Sequence, residues 1–234
     1  MMKHIPYQQL GKADHGWLKA NHHFSFANYY NPERMSFGTL RVINDDWIQA
    51  GTGFAPHPHN NMEIITYVRS GEITHEDNTG NKGITKSGEV QVMSAGSGIV
   101  HSEHNRGKAP ITLYQIWIET NKLNVAPRWE AKTFPTEFST QLPLLVSGYP
   151  EDKDNSLFIY QNARIFGGKI KQGSVFNQSI THQAYVLASF GSFEIRENEK
   201  NTTMQQGDGA EITESKVVTI HALTDCEILV IDAP

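Results

Sequence analysis

Cysteine is nearly absent from this 234-residue chain: Cys226 stands alone, so no intrachain disulfide can form. A free cysteine in a β-rich context reads as a small buried hydrophobe. Clustered basic residues are missing too. Twenty Lys and Arg against 25 Asp and Glu give a formal charge of −5, and no stretch builds the basic patch that a phosphate backbone needs. Direct nucleic-acid binding is therefore not expected. No apolar run approaches the ~20 residues of a membrane-spanning helix. The start, Met1 to Pro6, has none of the apolar core of a signal peptide. The expected location is the cytoplasm. Helical periodicity is lacking as well, since no long stretch repeats apolar residues at 3.6.

What is there is alternation. Phe37–Ile43, Glu63–Ser70, Gly88–Met93 and Leu113–Ile118 read as short strands, with Gly, Asn, Asp and Ser between them. Asn44-Asp45-Asp46 reads as a turn, and His75-Glu76-Asp77 as a solvated approach to the loop Asn78–Gly83. Short antiparallel strands closing on themselves make a barrel whose interior can hold a site. The second half echoes the first at a spacing of roughly 120 residues. Tyr185–Ile195 parallels Ile65–Ile73, Gly207–Ile212 parallels Gly88–Met93, and Glu227–Asp232 parallels Leu113–Ile118. A period that long fits a duplicated small domain rather than a solenoid. The boundary is expected near 130, giving domains 1–130 and 131–234, with the Pro-containing stretch 121–140 as linker. The chain is thus all-β, two small antiparallel barrels packed together.

The chemistry concentrates in the first half. His57-Pro58-His59 is followed by Glu63, and His101-Ser102-Glu103 comes some forty residues later. Side chains two apart share a face of a strand. His57 with His59, and His101 with Glu103, therefore point the same way, as would Glu63 were its segment continuously extended. Prolines hold the first segment extended. Imidazoles plus a carboxylate make a donor set for a divalent first-row metal, with Fe(II) first and Mn, Ni, Cu or Zn as alternatives. Spacing alone leaves open whether Glu63 or Glu103 ligates. In the second half, a shift of about 120 puts Asn177 and Ser179 at the positions of His57 and His59. It puts His221 near that of His101 and Leu223 at that of Glu103, so no second site is expected.

The two histidine blocks, framed by Gly51 and Gly71 and by Gly88 and Gly96, resemble the cupin superfamily. Within it the chain is similar to the pirin family. The resemblance also runs through His23–Phe26, Leu40–Asp46, Met62–Val68, Met93–Gly98 and Gln115–Ile118. It implies a bicupin, two double-stranded β-helix barrels, with a metal in the N-terminal barrel only. It assigns His57, His59, His101 and Glu103 as ligands and leaves Glu63 to an outer shell. It further implies a quercetin 2,3-dioxygenase-like activity on a flavonol-like aromatic with O2, releasing carbon monoxide, with Glu103 as base. The alternative it carries is a redox-sensing regulatory protein that acts through a protein partner. Pirins commonly follow His-Pro-His with an arginine, whereas Asn60-Asn61 stands here. A cation is thus missing at the mouth of the expected site.

Overall fold

The alternation becomes strand almost everywhere. The computed structural model describes residues 1–197 and 200–234. No helix among them is long and apolar enough to cross a membrane. The chain divides into two compact units. The histidine unit comprises Gly11–Phe134 with Leu157–Gln161, and the second unit comprises Met1–Leu10, Pro135–Ser156 and Asn162–Pro234.

Strand β1 (Met2–Ile5) opens the chain. The histidine unit then contributes β2 (Gly11–Asp14), β3 (Leu18–His22), β4 (Leu40–Ile48), β5 (Gly53–His59), β6 (Met62–Ser70) and β7 (Glu72–Asp77). It continues with β8 (Lys82–Lys86), β9 (Glu89–Ser94), β10 (Ile99–His104), β11 (Ile111–Glu119) and β12 (Arg128–Thr133). After β13 (Leu144–Ser147) and the short β14 (Leu157–Phe158) come β15 (Arg164–Ile170), β16 (Val175–Ser179), β17 (Gln183–Phe190) and β18 (Ser192–Glu197). The chain ends with β19 (Lys200–Gln205), β20 (Gly209–Ile212), β21 (Val217–Ala222) and β22 (Cys226–Ala233).

In the histidine unit a large antiparallel sheet runs β12-β9-β6-β11-β4-β3-β2, and a small one runs β5-β10-β7-β8. The second unit repeats the plan, with β1-β20-β17-β22-β15-β13 in the large sheet and β16-β21-β18-β19 in the small one. The folded units differ from a division at 130/131 at both ends. β1 pairs with β20 from Met2↔Ile212 to Ile5↔Gly209, so the first ten residues fold with the last ones. Residues 157–161 are held in the histidine unit, where the Tyr160 carbonyl accepts from the Asn121 amide at 2.7 Å and from the Thr120 hydroxyl at 3.0 Å. The stretch expected as linker carries β12, which pairs with β9 from Arg128↔Ser94 to Thr133↔Glu89.

The inward positions of the histidine unit form layers, because each strand returns to the same face every second residue. Ile48, Val68, Ile73, Ile111 and Leu113 make one apolar cluster. Ile64, Met93, Ala95 and Ile99 make another. Between them, two residues along the same strands, lie Asp46, Thr66, His75, Gln91, His101 and Gln115, all buried. A polar layer is thus held between two greasy ones. The second unit has no such layer among its described residues, and its interior is one continuous apolar cluster from Leu142 to Val230 that includes Cys226.

Candidate metal centre

β5 and β10 lie side by side, with His101 opposite His57 and Ile99 opposite His59. The three imidazoles converge. Their ring centres are 4.8 Å (57–59), 4.5 Å (57–101) and 5.0 Å (59–101) apart. One donor atom from each falls within 4.8 Å of the others, close enough to share one ion. A β-bulge between His101 and Glu103 shapes the approach. There the Ala55 carbonyl accepts from His57 Nδ1 at 2.7 Å, leaving His57 Nε2 as the free donor. Gly53 is required opposite the bulge, because a Cβ there would stand 2.2 Å from the Glu103 carbonyl oxygen.

Two of the three imidazoles, His59 and His101, are held neutral. Burial, with His57, His59 and His75 close by, pushes the His101 pKa down to about 2. Burial and His57 lower His59 to about 4. Neutral imidazoles are what a metal needs. His101 Nε2 is fully buried and has no hydrogen-bond partner. A buried orphan nitrogen costs about 1–3 kcal/mol, and a cation between the rings would remove that cost. The residues therefore fit a divalent metal.

Glu103 lies in the polar layer, not among the three rings. Its Oε1 accepts from Gln91 Nε2 at 2.6 Å, and its Oε2 from Gln115 Nε2 at 2.8 Å. Burial raises its pKa to about 7 in spite of the hydrogen bonds from Gln91, Thr66 and Gln115. Glu103 shares a second donor group with His101 and His75, again within 4.8 Å. Glu63 departs from the sequence reading. Asn61, at a positive φ of 46°, turns the chain between β5 and β6 and breaks the alternation that would have aligned Glu63 with the histidines. Glu63 lies three residues from Thr66, on the opposite face of β6, where it accepts from Ser94 Oγ at 2.7 Å. It is no outer-shell partner of the histidines.

The buried acid Asp46, expected in a turn, belongs to this region. Asn44-Asp45-Asp46 is the middle of β4, where Val42, Asn44, Asp46 and Ile48 share the inward face. That period of two through Leu40–Ile48 was the available signal. Burial raises the Asp46 pKa well above the usual carboxylate range, and Asp45 and Glu103 add to it while Arg69 opposes it. Its Oδ1 has no partner. Outward-facing Asp45 pairs with Arg69. Likewise His75 and Asp77 are not solvated. Both side chains are fully buried, and His75 Nε2 lies 2.9 Å from Asp77 Oδ2.

The His57 and His59 rings line a cavity of about 520 Å³ walled also by Trp17, Phe26, Phe54, Trp117 and Asp46. That size lies within the roughly 300–1,000 Å³ range of small-molecule pockets. A second hollow of about 450 Å³, lined by Met62, Asn78 and Val100, shares His59 and Trp117 with the first.

The second unit shows what the same positions become without a site. β16 pairs with β21 so that Phe176 faces Ile220 and Gln178 faces Val218. β21 in turn places Ala222 opposite Phe193 on β18. Those residues face the interior, as His57, His59, His101, Glu103 and His75 do in the histidine unit. The inward counterparts of the site are therefore Phe176, Gln178, Ile220, Ala222 and Phe193, not Asn177, Ser179, His221 and Leu223. Asn177 and Thr219 face outward and bond each other at 2.9 Å. A shift of 120 instead of 119 moves every side chain to the wrong face.

The sequence carries the same assignment. Residues 4–118 match the family model described as Pirin, and residues 144–233 match that of the quercetinase C-terminal cupin domain. A pirin-like protein of Caulobacter vibrioides is 47% identical over the whole length of both chains. The chain belongs to the pirin family. A quercetin 2,3-dioxygenase of Escherichia coli K12 is 40% identical over 97% of this chain and 96% of its own. The crystal structure of the bacterial pirin YhhW from Escherichia coli in complex with nickel(II) superposes with a TM-score of 0.92 at 38% identity, covering 100% of this chain and 99% of that one. The fold of this pirin is accordingly a pair of cupin domains.

Proposed function

We propose that this pirin is a metal-dependent dioxygenase that opens a flavonol-like ring with O2 and releases carbon monoxide. The observation that carries the reading is the convergence of three imidazoles, two of which, His57 and His59, line an aromatic-walled cavity. A relative named quercetin 2,3-dioxygenase supports the reaction class. His57, His59 and His101 would hold the ion, with Glu103 as the fourth ligand. Fe(II) is the first choice, and the nickel in the YhhW structure makes Ni(II) the leading alternative. Bound, a divalent metal supplies Lewis acidity that eases loss of a proton from a ligated hydroxyl.

The chain's own groups do the rest. Glu103, within donor distance of His101, is the group we assign to accept that proton. Asp46 on the cavity wall offers its carboxyl group to a substrate hydroxyl. Trp17, Phe54 and Trp117 give a planar ring flat surfaces and exclude water from it. The single buried cysteine suits a reducing compartment, and we place the protein in the cytoplasm.

The test is aerobic quercetin consumption with carbon monoxide detection, on protein loaded with Fe(II) or Ni(II) and assayed for metal. Turnover that vanishes in the apoprotein is expected. Absence of turnover at full occupancy with either metal would refute a flavonol as substrate.

A further inference from the structure

Behind His101, on the side away from His57 and His59, lies a chain of buried polar groups that none of the proposed chemistry uses. His101 Nδ1 stands 3.4 Å from His75 Nδ1. His75 Nε2 stands 2.9 Å from Asp77 Oδ2. Asp77 in turn accepts from the Thr79 amide at 2.9 Å, the Thr79 hydroxyl at 2.7 Å, the Asn81 amide at 3.1 Å and Asn81 Nδ2 at 3.0 Å. Trp129 stacks on the His75 ring at 5.0 Å and 12°, fixing its plane. The indole reaches that place because residue 83, opposite His75 on β8, is glycine. A Cβ there would stand 2.2 Å from the Trp129 ring.

The direction of the hydrogen bonds follows from counting donors. Asp77, surrounded by four other donor contacts, is an acceptor only. His75 therefore carries its proton on Nε2 and gives it to Asp77. A neutral His75 then has a bare Nδ1, which can only accept. The atom facing it, His101 Nδ1, must carry the proton. That leaves His101 Nε2 bare, and this is the nitrogen that is buried without a partner. We propose that the Asp77–His75 pair is a positioning relay that locks His101 in its Nδ1–H tautomer and aims its Nε2 lone pair at the ion shared with His57 and His59. The proposal rests on the metal-centre reading above. It makes His75 a positioning residue rather than a ligand, although His75 also lies within donor distance of His101 and Glu103. Outer partners of this kind are typically worth about 10–100-fold in metal affinity.

Two variants separate the relay from mere packing. In His75→Gln the amide oxygen can accept from His101 and the amide nitrogen can donate to Asp77. In His75→Leu neither bond survives. Imidazole ¹⁵N shifts, read on metal-free protein at pH 8, report the tautomer without reference to the metal. The expected result is Nδ1–H for His101 in the wild type and in His75→Gln, and loss of that preference in His75→Leu. Titration with Ni(II) should show affinity weakened about 10–100-fold in His75→Leu and restored to within about threefold in His75→Gln. X-ray absorption of the nickel-loaded wild type and His75→Gln should count the same number of imidazoles. A His101 that carries its proton on Nε2 in the wild type would overturn the relay, as would a His75→Gln variant no better than His75→Leu. One imidazole fewer around nickel in His75→Gln would make His75 a ligand and overturn it equally. Failure of the metal reading looks different: the wild type would take up no Ni(II) while its His101 still showed the Nδ1–H tautomer.

Discussion

The two units of this chain share a strand plan and differ in one layer. At the inward positions midway along the small sheet, the histidine unit places His57, His59, His75, His101 and Glu103. The second unit places Phe176, Gln178, Phe193, Ile220 and Ala222 there. Above and below that layer both interiors are apolar. The comparison teaches that the barrel itself does not need the polar layer. A continuous apolar core closes the second unit, so the imidazoles and acids of the first are held at a cost in stability and serve something other than folding. Burying polar groups is tolerable there because most are satisfied in a network: Thr85 to Gln91 at 2.8 Å, Gln91 and Gln115 to Glu103, His75 to Asp77. The atoms of that layer left without a partner are His101 Nε2 and Asp46 Oδ1.

Four measurements would break or sharpen that contrast. The largest effect is expected from His101→Ala, which removes a ring from the triad. Ni(II) affinity should fall by more than the roughly 100-fold limit for outer partners, and calorimetric titration at near-wild-type affinity would separate the polar layer from metal binding. Next is Ile220→Asn, which puts an unpaired amide into the apolar layer of the second unit. Loss of apolar contact together with an unsatisfied buried group should cost about 3–5 kcal/mol, read as an early denaturant transition. A silent variant would show that this interior tolerates polarity, and the contrast would lose its force.

The third measurement uses pH. In the metal-free protein the folded Glu103 pKa is raised to about 7 from an ordinary 4.5. The folded state then holds more protons than the unfolded state between those values, so this contribution to stability is present below pH 4.5 and is lost as pH rises through 7. His59 and His101, lowered to about 4 and about 2, act in the opposite sense, their contribution being lost as pH falls below 6.5. Subtracting the melting profile of Glu103→Gln from that of the wild type should isolate a limb that falls between pH 4.5 and 7. Parallel profiles would mean that Glu103 does not titrate in that window. The smallest effect is expected from Glu63→Gln. Facing Ser94 rather than the rings, it should leave Ni(II) affinity within about twofold, well short of the outer-partner range. A tenfold loss would return Glu63 to the metal centre.

Much of this was legible in the sequence. The β class, the duplication and the three converging histidines follow from period-two alternation and from His-x-His spacing. The errors share one cause. Glu63 was aligned with the histidines by counting through Asn60-Asn61, but the left-handed Asn61 resets the face. Asn44-Asp45-Asp46 and His75-Glu76-Asp77 have the polar composition of turns, and their pairing with β11 and β10 makes them interior strand. The echo in the second half is legible, but one residue of offset turns its side chains outward. Composition records polarity, whereas facing depends on register, and register is fixed by partners far away in sequence.

The pairing of β1 with β20 has a consequence for how the chain is made. Met2 and Ile212 are partners across almost the entire sequence. Residues 1–10 are made long before their partner strand, and the edge they complete exists only once residues 209–212 have been added. The histidine unit, its strands contiguous from residue 11 to 134 apart from the short Leu157–Gln161 segment, can assemble most of its sheets while the N-terminus waits unpaired. Closure of the second unit is thus the late, long-range step of folding, and slow by its topology. β1 remains open to stray partners until residues 209–212 are translated.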